Sequence, residues 1–222
     1  MASLSPVGLG YLTALLPLAT THLCYGLSRW QGHVPPCNPY WRDCVSISAT
    51  GREGVAYFLF KGGILPTCVL LALFWALSLA WVRQLGEPRR AAWLGVALLG
   101  SLALAAYALA LGHNTGYLPV IRRVGVALFI FCTFSLQVII ADALYRLPSW
   151  HKMGLRLLWF SVLILAIALS TLALDLWLGL GYQRLENAFE WWLFLLLNLH
   201  LLTMADCWRR GGLQLGVRIK EE

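Results

Sequence analysis

The chain has 222 residues, of which 59% are hydrophobic and 12% charged. A soluble domain carries roughly 45–50% apolar and about 25% charged residues, so this composition excludes that class. The formal charge of +7 asks for no nucleic acid, because the charges fall between long apolar blocks, as in a positive-inside membrane protein with a basic tail on anionic lipid.

Six blocks meet the requirement of about 20 mostly apolar residues per span: 7–25, 57–82, 91–112, 124–145, 155–179 and 188–208. The first is the weakest, with Thr20, Thr21 and His22 inside it. It lacks a basic leader and a small-residue cleavage site, so it is expected to stay as a helix. Pro17 and Pro66 fall inside spans, where kinks are tolerated. Between the first two blocks runs LSRWQGHVPPCNPYWRDCVSISATGREGV, about 27–55. Its Pro, Gly and aromatic content predicts a folded cap carrying His33, Asp43, Arg52 and Glu53. Lys61 stands just inside the second block. The next loop on that side brings His113, Asn114, Arg122 and Arg123, and the last brings Asp175, Arg184, Glu186 and Glu190.

The predicted fold is therefore all-α: a polytopic membrane protein of six transmembrane helices, forming one domain over 1–222 with a structured first extracytoplasmic loop. Arg83, Arg89, Arg90, Arg146, Lys152, Arg156, Arg209, Arg210, Arg218 and Lys220 outnumber the Lys and Arg of the opposite side, which predicts both termini inside. Trp30, Trp41, Trp177, Trp191 and Trp192 at one set of ends, and Trp81, Trp93, Trp150 and Trp208 at the other, fit two aromatic belts.

The stretch RLENAFEWW, 184–192, poses the chemical question. On a helix Glu186 and Glu190 lie four residues apart on one face, where like charges repel by a few tenths of a kcal/mol. Lys61, Arg122, Arg123 and Arg184 are the cations available to offset them. One reading is a structural ion-pair network at helix ends. The other is a polar pocket at the depth of the outer leaflet, since ionisable residues within a membrane are functional by default. In that pocket arginine forks would hold a phosphate headgroup, with Asn198 and His200 further along the same helix. Membrane lipids are the expected partners; protein partners are not readable from the sequence.

Enzyme signatures are sparse. The five histidines, His22, His33, His113, His151 and His200, form neither H-E-x-x-H nor H-x-x-x-H, and no C-x-x-C or G-x-S-x-G occurs. No metal and no cofactor is expected. The candidate general bases are His113 and Glu190, with Ser46, Ser48 and Thr50 near enough in sequence to enter a nucleophilic arrangement. Of the six cysteines, Cys37 and Cys44 share one loop, and spacing leaves a disulfide and two free thiols equally open.

Three stretches together, ISATGREG at 47–54, RRVGVALF at 122–129 and FEWWLFLL at 189–196, carry a resemblance. The chain resembles the FRAG/DRAM/SFK superfamily of six-span membrane proteins: damage-regulated autophagy modulators, yeast SFK-type proteins, and the FRAG-type factor of GPI-anchor lipid remodelling together with the N-terminal part of the CWH-type cell-wall protein. The resemblance covers the chain in helix number and loop order. Its motif positions are Ile47, Ser48, Thr50, Gly51 and Glu53, then Gly125, then Glu190 and Trp191. Ala49 stands where the family usually has Asp, and Arg123 or Val124 where it often has His. Asn198 and His200 downstream of Glu190 bring the chain closer to the remodelling branch.

That resemblance implies work on lipids or lipid-linked glycans at the extracytoplasmic or lumenal leaflet. The membrane would be a bacterial inner membrane or, in a eukaryote, that of the ER, Golgi or lysosome. The first functional expectation is a lipid-handling protein that takes part in acyl-chain remodelling. The alternative is a non-catalytic membrane organiser or adaptor. A small-solute transporter ranks below both, because no internal repeat or pair of broken helices is visible.

Overall fold

The computed structural model describes residues 5–41, 44–87, 92–113 and 115–214, with Leu180 described by its backbone alone. Asp43, Asn114, Arg89, Arg90, Arg218 and Lys220, named above, lie outside the described residues. The elements are α1 (Val7–Trp30), α2 (Ile47–Thr50), α3 (Gly54–Gln84), α4 (Ala92–Ala110), α5 (Leu118–Arg146), α6 (His151–Leu178), a 3-10 turn (Gly179–Tyr182) and α7 (Gln183–Arg210). All but α2 and the turn are long and apolar enough to cross a membrane. Six antiparallel spans put the first and last helices' free ends on one face, here the terminal face. The segments 31–53, 111–117 and 179–182 share the opposite, loop face.

The helices overrun the apolar blocks. α3 begins at Gly54, α5 at Leu118 and α7 at Gln183, so Arg122, Arg123, Arg184 and Glu186 are helical rather than loop residues. Backbone groups near a bilayer are best satisfied within a helix, and nothing in those polar stretches breaks one. α1 also runs through its polar middle. Thr21 Oγ1 donates to the carbonyls of Pro17 (3.0 Å) and Leu18 (3.1 Å), and His22 Nδ1 lies 2.7 Å from the Leu18 carbonyl. The loop-face segment is accordingly shorter than 27–55, spanning 31–53 with α2 inside it.

The spans form a ring in chain order, α1, α3, α4, α5, α6 and α7, with α7 closing on α1. The tightest seam joins α4 and α5. It depends on Gly125, where a Cβ would fall 2.8 Å from the Ala103 carbonyl oxygen. The core concentrates in the half nearer the terminal face, where Phe74 and Trp208 stack at 4.6 Å and Leu136, Ile140, Leu144, Leu157 and Met204 are buried. The helix α6 buries only Gly154, Leu157, Ser161 and Ile164, all in that half. Its other half stands off from the ring and leaves a space between α5 and α7.

Candidate functional site

The loop-face cap is built on α2 and locked to α7. Ser46 N-caps α2 by accepting from the Ala49 amide at 3.2 Å. Thr50 Oγ1 donates to the Ile47 carbonyl (2.7 Å), and the Thr50 carbonyl accepts from Ser28 Oγ of α1 (2.6 Å). Cys37 and Cys44 are joined in a disulfide, with Cα atoms 5.6 Å apart. Tyr25 of α1 donates its hydroxyl to the Cys37 carbonyl.

RLENAFEWW supplies the other half of the lock. At about 100° per residue, Asn187 and Trp191 face the cap, while Glu186 and Glu190 face the neighbouring space. Asn187 Nδ2 donates to the Cys44 carbonyl, Trp191 Nε1 to that of Val45 (2.9 Å) and Trp192 Nε1 to that of Tyr40 (3.2 Å). Trp191 is fully buried, edge-on to His22, Tyr25 and Tyr40. Burial raises the Tyr40 phenol above its ordinary pKa, and its hydroxyl lies 2.8 Å from His22 Nε2.

Beneath the cap lies a cavity of about 260 Å³. Its walls include Phe60 of α3, Leu104 of α4, Phe129 and Ile130 of α5, and Leu193 and Phe194 of α7, with Ile47 of the cap above. Its polar groups lie in the loop-face half: Glu186, Glu190, Tyr107, Tyr182, Thr171 and Thr21. The backbone amide of Ile47 faces the half-buried Glu190 carboxylate, and the charges of Glu186 and Arg52 both act on it. Buried Tyr107 sits within reach of the charges of Glu190, Arg52 and Arg122. Arg52 is held by an Nη2 bond to Ser48 Oγ at 2.8 Å, and its Nε is buried without a hydrogen-bond partner. Tyr182, in the 3-10 turn, bonds Thr171; burial first, then the Glu186 and Asp175 charges, hold its phenol above the ordinary range.

The expected site residues therefore divide. Glu186 and Glu190 lie on the cavity wall, the charge of half-buried Arg122 reaches Tyr107 beside them, and the charge of Arg52 reaches Glu190. Lys61 and His113 do not join them. Lys61 donates to the Tyr57 hydroxyl and to the Leu109 carbonyl (3.4 Å), and His113 Nε2 lies 3.4 Å from the same hydroxyl. Tyr57 and His113 of that cluster line a separate concavity beside α3 and α4. Exposed Arg123 and Arg184 are absent from the cavity wall. Asn198 and His200 lie about 12–15 Å further along α7 at 1.5 Å per residue. There Asn198 Nδ2 bonds the Phe194 carbonyl at 2.8 Å, while His200 Nε2 sits 3.2 Å from Ser161 Oγ and 3.3 Å from the Leu157 carbonyl. Asn198 ties α7 internally and His200 ties it to α6, both below the polar end of the cavity.

The motif residues are fasteners of the cap and ring. Ser48 holds Arg52, Thr50 braces α2, and Gly51 packs under the Phe60 ring. Glu53 pairs with His33 at 3.2 Å. Among the described residues no group of three His, Cys, Asp or Glu side chains converges as a metal site would require. Sequence reasoning left Arg52, Tyr107 and Tyr182 out of the site. Tyr107 lies mid-block in ALAAYALALG and gives no local signal, and Arg52 is one loop charge among several until α2 turns it inward. No family model, curated protein or solved structure matches the chain. The fold and site define it as an integral membrane protein of six spans with a capped, polar-ended cavity.

Proposed function

We propose that the protein handles lipid, with an acyl chain lying in the apolar cavity and its headgroup at the Glu190, Arg52 and Arg122 end. The observation that carries this reading is the polarity gradient of one cavity: hydrocarbon walls through its body, and carboxylate and phenol groups at a single end, within reach of the Arg52 and Arg122 charges. The sparsely buried half of α6 beside the cavity supports it, as the side from which an acyl chain would enter. An apolar chain entering there costs little, since it leaves one hydrocarbon environment for another, while the charged end gains a desolvated partner. In this reading the loop face is extracytoplasmic. The resemblance to the FRAG/DRAM/SFK superfamily agrees with it and extends it to acyl-chain remodelling. Glu190 is then the general base acting on a lipid hydroxyl; His113 is less suited, because it lines a different concavity.

The organiser reading rests on a specific observation too, the fastening of the cap to α7 by Asn187, Trp191 and Trp192. Mass spectrometry of lipids retained through purification separates the two. Wild type should retain one lipid class that Leu193→Trp, which fills the cavity, and Glu190→Gln both lose while remaining folded. Equal lipid profiles in all three proteins would overturn lipid handling and leave the organiser.

A further inference from the structure

The second concavity of the loop face, about 500 Å³, shares no wall residue with the acyl cavity; Arg52, on its wall, also acts by charge on Glu190. α3 separates the two spaces: Phe60 and Ile64 line the cavity, while Tyr57 lines the concavity and Lys61 bonds it from one turn on. Two glycines clear its floor. Gly54, at φ +59°, leaves room for the Gln31 amide, and Gly112, at φ +87°, would place a Cβ 2.6 Å from the Tyr57 ring. Both conformations favour glycine over any residue with a side chain, so the hollow follows from the backbone itself.

The groups around it are mainly donors. Lys61 Nζ lies 4.0 Å from the Tyr57 ring centroid and donates to its hydroxyl, which leaves the phenol proton for His113 Nε2 or for a ligand. Arg52 and His113 complete the rim. Gln31 Oε1 accepts from the Val55 amide at 3.3 Å, so its amide N–H groups remain to donate. Glu53, a carboxylate of the cap next to Arg52 in sequence, is engaged by His33 at 3.2 Å. A helix-capping role accounts for the Lys61 bond to Leu109 at the end of α4. It does not account for Arg52 and His113 meeting at the same glycine-floored hollow. Beside the rim, Phe58 and Leu109 are exposed and offer acyl chains an apolar track.

We infer that this concavity binds the phosphate of a phospholipid headgroup from the loop-face leaflet, with Lys61, His113 and Arg52 as its donors. Arginine and lysine are the usual phosphate partners, the one as a fork and the other as a point charge. Arg52 links the site by charge to the Glu190 end of the acyl cavity, so its test is run in the Leu193→Trp background, where that cavity is filled, and changes Lys61 and His113, which that cavity does not use.

The measurement is native mass spectrometry of the detergent-solubilised full chain, titrated with short-chain phosphatidylglycerol and, in parallel, with diacylglycerol of the same chains. Phosphatidylglycerol should bind at least tenfold more tightly than diacylglycerol, and Lys61→Gln with His113→Gln should remove that preference. Lys61→Arg should restore it. Inorganic phosphate is titrated as the competing probe. Displacement of the phospholipid by millimolar phosphate supports recognition through the phosphate. Phosphate binding without any phospholipid binding overturns the headgroup assignment. Equal binding of the two lipids by the protein without the Lys61 and His113 substitutions overturns the site, and that comparison does not depend on either variant folding.

Discussion

The two halves of the helix ring use the same kinds of residue to opposite ends. Toward the terminal face, large side chains fill the interior: Phe74 stacks on Trp208 at 4.6 Å, and Trp81 meets Trp150 edge-on at 5.2 Å. Toward the loop face, aromatics line the walls or fasten the cap and leave about 260 Å³ empty. The difference follows from α6. Its buried positions stop at Ile164; one and two turns on, the same face carries only Ala168 and Thr171, the latter's hydroxyl bonding back to the Ala168 carbonyl. Small residues there cannot close the ring, and the cap holds the top of the opening in shape. One half of the bundle supplies stability, and the other gives up packing for space.

The largest expected effect breaks the packed half. Trp208→Ala should cost about 3–5 kcal/mol, the range for a large buried aromatic, read as a fall in melting temperature and in recovered folded protein. If Phe129→Ala, on the cavity wall, costs as much, the contrast between the halves is lost. Next comes the lock. Replacing Cys37 and Cys44 together by Ser should destabilise the cap by about 2 kcal/mol and expose segment 31–46 to protease while the ring stays helical. Ring and cap unfolding together would show one cooperative unit instead of two.

Smaller still is Trp191→Phe, which keeps the ring but loses the bond to the Val45 carbonyl. About 1 kcal/mol is expected, again as faster cleavage of the cap. Leu193→Trp should then leave the melting temperature near wild type and remove retained lipid, because it fills space instead of disturbing packed groups. The smallest effect is expected at Arg123, exposed and off the cavity wall: Arg123→Ala should match wild type in melting temperature and lipid profile. A loss of lipid there would return Arg123 to the headgroup site and redraw the boundary of the open half.

Six apolar blocks sufficed to predict six spans, because a bilayer admits few alternatives to a helix of that length. Cys37 and Cys44, seven residues apart, were left open by spacing and joined by the cap. Glu190 was legible as a charge out of place, but its setting was not. Arg52 reaches it only because α2 turns the loop inward, and Tyr107 faces it only because Gly125 lets α4 and α5 close up. Lys61, an equally plausible partner by charge, falls on another face of α3, where His113 of the 111–117 segment meets it at the Tyr57 hydroxyl. Hydrophobic length is written locally along the chain and fixes the spans. Which charge meets which is set by helix rotation and ring order, which arise only when the helices pack.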